Sequence, residues 1–103
     1  MITAIVQFEI PEPVGLDKAR ELFLGSAQKY RNTSGLIRKY YLRSEDGKTV
    51  GGVYLWESRA AAERTYTAEW RRTILDKFGS EAVLTYFDSP VIVDNEKGTI
   101  SQS

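Results

Sequence analysis

Residues 2–10 alternate along the chain. Ile2, Ala4, Val6, Phe8 and Ile10 form one apolar series, and Thr3, Ile5, Gln7 and Glu9 form the other. A period of two predicts a first strand, and Pro11 and Pro13 end it because proline cannot donate to a ladder. From Leu16 to Tyr30 the period lengthens: Leu16, Ala19, Leu22, Phe23, Ala27 and Tyr30 share one helical stripe. Gly25 weakens that helix by about 1 kcal/mol relative to alanine. A polar turn, residues 31–35, leads into two β-rich runs around Asp46-Gly47, a dipeptide that favours a hairpin turn with positive φ. If the turn has two residues, Glu45 pairs with Lys48, Tyr41 with Gly52 and Lys39 with Tyr54. Ser58 is placed to N-cap a second helix starting at Arg59. Ala62, Tyr66, Trp70, Ile74 and Phe78 recur every fourth residue, so this helix either runs through or breaks near Thr67 and restarts, and Gly79 closes it. The last strand covers residues 82–87 and resumes at 91–93 after Ser89-Pro90. Beyond Asp94 the chain is polar and reads as a loose tail.

The order β-α-β-β-α-β predicts an α+β, ferredoxin-like domain over residues 1–95, with residues 96–103 as the polar tail. Its four-stranded antiparallel sheet is expected to carry both helices on one face. Which hairpin face meets the helices is judged from composition. Leu36, Arg38, Tyr40, Leu42, Val53 and Leu55 are mostly aliphatic and are expected to face them. Arg38 breaks this series, and it either sits at the sheet end in water or pairs with a carboxylate; Glu63, Glu69 and Glu81 are all open as partners. Ile37, Lys39, Tyr41, Arg43, Val50, Tyr54 and Trp56 mix aromatics with cations and are expected to face away. Four strands span about 19 Å, and two helices about 10 Å wide cover one such face and no more. The uncovered face, with Ile5, Gln7, Tyr41, Tyr54 and Trp56, then reads as an interface or ligand groove. Two chains packed sheet against sheet, with a cavity between, would cover it.

Composition narrows the chemistry. The chain has 103 residues, 42% of them hydrophobic, which suits one domain. Net charge is zero and the cations are scattered, so no basic footprint for nucleic acid or an anionic membrane is present. No apolar run approaches the roughly 20 residues of a membrane span, and no signal-peptide pattern is visible, which makes the cytoplasm the expected compartment. There is no histidine and no cysteine. Ser-His-Asp and Cys-His catalysis, ordinary zinc sites, histidine-ligated haem and redox dithiols are thereby excluded. No acidic cluster has EF-hand spacing, and neither G-x-G-x-x-G nor a P-loop occurs. Gly51-Gly52 lies inside a strand, where glycine permits a bulge or close backbone approach.

Three segments carry a resemblance: Gly35-Leu-Ile-Arg-Lys-Tyr-Tyr41, Gly51-Gly-Val-Tyr-Leu-Trp-Glu-Ser58 and Tyr86-Phe-Asp-Ser-Pro-Val-Ile-Val-Asp94. Together they resemble the YdhR-type monooxygenases of the dimeric α/β-barrel superfamily, which includes the antibiotic-biosynthesis monooxygenases. The resemblance runs from Met1 to about Asn95. It implies a homodimer with a hydrophobic pocket between each sheet and its helices or at the dimer seam, and a C-terminal strand segment that reaches the partner. Cofactor-independent members oxidise phenolic or polycyclic aromatic substrates with O2, the substrate supplying the electrons. Such a site must hold an electron-rich ring, help remove a proton and stabilise the oxyanion. Trp56 matches the position of a pocket tryptophan in that branch.

The expected function is therefore a cofactor-independent monooxygenase acting on a small aromatic or hydrophobic metabolite, with no metal. Tyr41 and Gln7 are the candidate catalytic residues, as hydrogen-bond donors to a substrate oxygen. Trp56, Tyr54, Lys39, Ile5, Tyr66 and Trp70 are the candidate substrate-binding residues. Six of them have a structural alternative: interface packing for Trp56, Tyr54 and Tyr41, a snorkelling surface lysine for Lys39, and helix core for Tyr66 and Trp70. Gln7 needs a partner in substrate, water or a second chain. Trp56→Ala is expected to abolish binding while leaving the fold. Two other functions remain open on the same pocket, a non-oxidative cyclase or isomerase and a non-catalytic hydrophobic-ligand-binding stress protein.

Overall fold

A computed structural model describes residues 1–103. Strand β1 (Ile2–Glu9) leads to helix α1 (Leu16–Arg31), then strands β2 (Leu36–Arg43) and β3 (Thr49–Trp56). Helices α2 (Arg59–Thr65) and α3 (Ala68–Phe78) follow, then β4 (Val83–Asp88), β5 (Val91–Asp94) and β6 (Thr99–Gln102). The main sheet is antiparallel in the order β2-β3-β1-β4, the ferredoxin-like arrangement. No helix is long and apolar enough to cross a membrane.

The second helix breaks where the sequence allowed it. Ser58 Oγ accepts from the Ala61 amide to cap α2, and Thr67 Oγ1 accepts from the Trp70 amide to cap α3. Two separate caps and an extended Thr67 restart the helix, and Gly79 ends it in the left-handed region (φ 81°). Ala62, Tyr66 and Trp70 all enter the core, with Ile74 and Phe78 packed against it.

The hairpin register is as expected, with Arg43 opposite Val50, Tyr41 opposite Gly52 and Lys39 opposite Tyr54. The turn differs. Residues 45–48 make the connection, closed by the Ser44 amide donating to the Thr49 carbonyl (2.8 Å). Within this turn only Gly47 has positive φ (74°). Asp46 instead accepts from Ser44 Oγ (2.7 Å) and from the Lys48 amide (3.0 Å), which holds the turn without a left-handed aspartate.

The face assignment is reversed. Ala4 lies opposite Tyr54 and Val6 opposite Gly52, so Tyr54, Trp56, Lys39 and Tyr41 share the face of Ala4, Val6 and Phe8. That is the face the helices cover: Trp56 is 0% and Tyr54 3% exposed. Composition of the hairpin alone misled, because the central strand decides. The uninterrupted apolar series of β1 must be buried, and pairing carries the neighbouring aromatics with it. The open face carries Ile5, Gln7, Val53, Leu55, Leu42 and Tyr40, with Val83 and Phe87 from β4. Gly51 faces the backbone of β1: a Cβ there would collide with the Val6 carbonyl, so the glycine serves a close strand approach.

Residues expected to form a loose tail instead supply β6, which pairs with β5 in a separate hairpin. The Ser103 amide donates to the Pro90 carbonyl (3.0 Å) and the Met1 ammonium to Ser103 Oγ (2.7 Å). The hairpin also supplies the carboxylate for Arg38, which meets Asp94 at 3.6 Å rather than any glutamate of the helices.

Two glycines should respond oppositely to alanine. Gly51→Ala should destabilise the fold by about 3 kcal/mol through forced strand displacement. Gly25→Ala, with nothing within 4 Å of the added methyl, should stabilise it by about 0.5–1 kcal/mol. Urea unfolding of both variants checks the pair; equal effects would contradict the strand contact.

Candidate functional site

A cavity of about 160 Å³ lies between the sheet and the helices. β1 contributes Val6 and Phe8 to its floor, β2 Lys39 and Tyr41, and β3 Gly51 and Tyr54. Helix α1 lines it with Phe23, Ser26 and Tyr30, and α3 with Trp70, Thr73 and Ile74. Its volume is comparable to an engineered apolar cavity that admits one benzene, so it has room for a single ring as it stands.

Aromatic side chains fix its walls. Phe23 stacks on Tyr41 with centroids 4.8 Å apart, and Tyr54 meets Tyr30 edge-on at 5.8 Å. Several of the polar ends are paired, as burial favours. Tyr41 Oη and Ser26 Oγ hydrogen-bond at 2.7 Å, and the Trp70 indole N–H donates to Tyr30 Oη at 3.1 Å. Behind them the Trp56 indole N–H donates to Tyr66 Oη at 3.0 Å, with the rings of Trp56 and Tyr66 nearly perpendicular.

Lys39 has an unusual environment. Its Nζ lies 3.6 Å from the ring centroid of Tyr30, 3.8 Å from Tyr41 and 4.5 Å from Tyr54. No carboxylate forms an ion pair with it, and none lines the cavity. Burial, with the repulsion of Lys29, lowers its pKa from 10.5 to about 7. Ring faces attract the ammonium but replace only part of the lost hydration. Burial acts the opposite way on the phenols. It raises Tyr41 despite the Ser26 hydrogen bond, and it raises Tyr54 strongly, with Tyr30 and Tyr66 adding to the effect. Both stay protonated and able to donate.

Of the sequence-predicted site residues, Tyr41, Tyr54, Lys39 and Trp70 come together around this cavity. Trp56 and Tyr66 sit in the core behind it. Gln7 and Ile5 lie on the opposite sheet face, opposite Gly51 and Val53, with Gln7 exposed. The cavity residues Ser26, Lys29, Tyr30, Thr73 and Lys77 were not read as site residues from the sequence. Ser26 carried a usable signal, since it is a polar residue inside the apolar stripe of Phe23, Ala27 and Tyr30.

The chain matches the model of a family described as "Putative mono-oxygenase ydhR" over residues 4–89, and it belongs to that family. No curated protein matches it. Among solved structures, it is similar to the ActVA-Orf6 monooxygenase of Streptomyces coelicolor in complex with nanaomycin D. Identity there is 24%, covering 85% of this chain and 86% of that one, with a TM-score of 0.63. It is also similar to an antibiotic biosynthesis monooxygenase candidate from Deinococcus radiodurans (13% identity, 91% and 97% covered, TM-score 0.67). A third is SnoaB, a cofactor-independent oxygenase from Streptomyces nogalater (17% identity, 85% and 91% covered, TM-score 0.63). These likenesses establish a shared fold.

Two substitutions separate core from cavity. Trp56 is fully buried and bonded, so Trp56→Ala should cost about 3–5 kcal/mol of stability rather than leave the fold intact. Lys39 binds its proton less well folded than unfolded, so wild-type stability should rise as pH climbs from about 7 toward 10.5. Lys39→Met should remove that slope. Relative to wild type it should gain roughly 1–3 kcal/mol at pH 6, allowing for solvent screening, and less at pH 9. Urea unfolding at the two pH values checks this; a gain independent of pH would rule out a proton-poor amine.

Proposed function

We propose, taking the family as premise, that this chain is a cofactor-independent monooxygenase whose substrate is a small, single-ring phenol held between sheet and helices. The observation that carries this is the combination of an aromatic-walled, one-ring cavity with protonated tyrosines and an unpaired lysine facing into it. In this reading Tyr54 and Trp70 pack against the ring. Tyr41, fixed by Ser26, donates to the substrate oxygen as negative charge develops on it. Lys39 binds the same oxygen. Tyr66 and Trp56 act from behind by holding the wall in place. O2 takes four electrons from the substrate: one oxygen atom becomes a new ring carbonyl and the other leaves as water, so no external reductant is consumed. The absence of His and Cys from the sequence and of carboxylates from the lining suits chemistry without a metal.

The same reading includes a homodimer. The open sheet face exposes Tyr40 (57%), Val83 (63%) and Phe87 (51%), an apolar surface suited to a second sheet. Ile5 and Gln7 would then lie at the seam, with the Gln7 amide bonded across it. A non-oxidative cyclase or isomerase would use the same cavity for acid-base chemistry without consuming O2.

Oxygen uptake with phenols that carry hydrogen at the para position tests the activity. Wild type should consume O2 and yield the quinone without added metal or flavin, and Tyr41→Phe should slow turnover roughly 10- to 100-fold. An isomerised product without O2 uptake would establish the non-oxidative enzyme, and ligand returned unchanged would establish a binding protein. Light scattering should give the mass of two chains, and the pair Val83→Asp and Phe87→Asp should give one; a wild-type monomer would remove the seam.

A further inference from the structure

An aromatic hydroxyl bound in this cavity has to lose a proton before it becomes electron-rich enough to meet O2, and most of the lining is apolar. The titratable groups facing the space are few. Helix α1 presents Tyr30 and Lys29, β2 presents Lys39 and Tyr41, β3 presents Tyr54, and α3 presents Lys77. None is a carboxylate or an imidazole. Lys29 and Lys77 are exposed at the rim rather than held inside the cavity. Tyr41 and Tyr54 hold their protons.

We propose that Lys39 is the proton acceptor of the cavity: its amine takes the O–H proton of a bound phenol, and the ammonium so formed stays beside the phenolate. This rests on the reading of the cavity as a phenol site. In the step, the O–H bond breaks, an N–H bond forms, and no electron is transferred. The geometry supplies three supports. The Nζ is held within 4.5 Å of three ring centroids, which fixes an otherwise flexible stem. No anion neutralises it, so the product phenolate becomes its counter-ion inside a low-dielectric space. Gly52 clears the room it occupies, since a Cβ there would sit 3.1 Å from Lys39 Cε and 3.2 Å from Tyr54 Cε1. Burial and Lys29 leave the amine largely unprotonated just above neutrality, the state an acceptor needs. The tyrosine rings then stabilise the ammonium once it forms.

The test uses 4-cyanophenol under argon, with its absorption reporting ionisation, at a pH near 7.5 where Lys39 is mostly neutral and the free phenol largely un-ionised. Wild type should bind the probe as phenolate with almost no proton released to weak buffer, because Lys39 keeps it. Lys39→Met should bind it un-ionised, lowering the ionised bound fraction at least tenfold. Lys39→Arg, already cationic, should hold the phenolate but release close to one proton per ionised probe. Four results would each overturn the proposal: no probe bound, probe un-ionised in wild type, equal ionisation in Lys39→Met, or full proton release by wild type. Oxygen is absent throughout, so ionisation dependent on Lys39 would stand even if no phenol were ever oxygenated.

Discussion

The pairing of β1 with β3 decides where the chemistry of this molecule sits. Strand side chains alternate strictly, so a register displaced by one residue would turn every side chain of β3 to the other face. With Ala4 opposite Tyr54 and Val6 opposite Gly52, the apolar series of β1 and the aromatics of β3 meet the helices together. Gly51 makes the approach of the two backbones sterically feasible. The cavity and its tyrosines follow from that single alignment, as does the open apolar surface on the other side.

The local elements were legible because their signals are local. Ser58 and Thr67 cap helices through hydroxyls three residues from their partners, and the stripe from Ala62 to Phe78 needs only helical periodicity. The hairpin register was legible too, although its turn was not, because Ser44 and Asp46 stabilise a connection that the Asp-Gly dipeptide alone does not specify. The facing of the hairpin required a partner strand more than 40 residues away, and composition pointed the wrong way. Aromatics beside cations resemble an exposed interface until their hydroxyls and indoles are seen to satisfy one another.

The site divides along the same line. Tyr41, Tyr54, Lys39 and Trp70 were candidates by residue type, and the fold gathers them around one cavity. Gln7 drew notice as a polar residue in an apolar strand, yet the alternation that made it conspicuous also carries it to the far side of the sheet. The state of Lys39 had no sequence signal, since it depends on burial beneath other elements and on the nearness of Lys29 in α1. The terminal strand β6 was hidden by polar composition; its stability comes from pairing with β5 and from the contacts of Ser103.

The two tryptophans are placed unequally. Trp70 lines the cavity through α3, whereas Trp56 is sealed behind it, and each indole N–H is tied to a tyrosine hydroxyl. A molecule entering the cavity touches the Trp70 indole directly and reaches Trp56 only through the Tyr66 ring between them. The chain thus carries its own optical gauge of occupancy, readable in emitted light without any label.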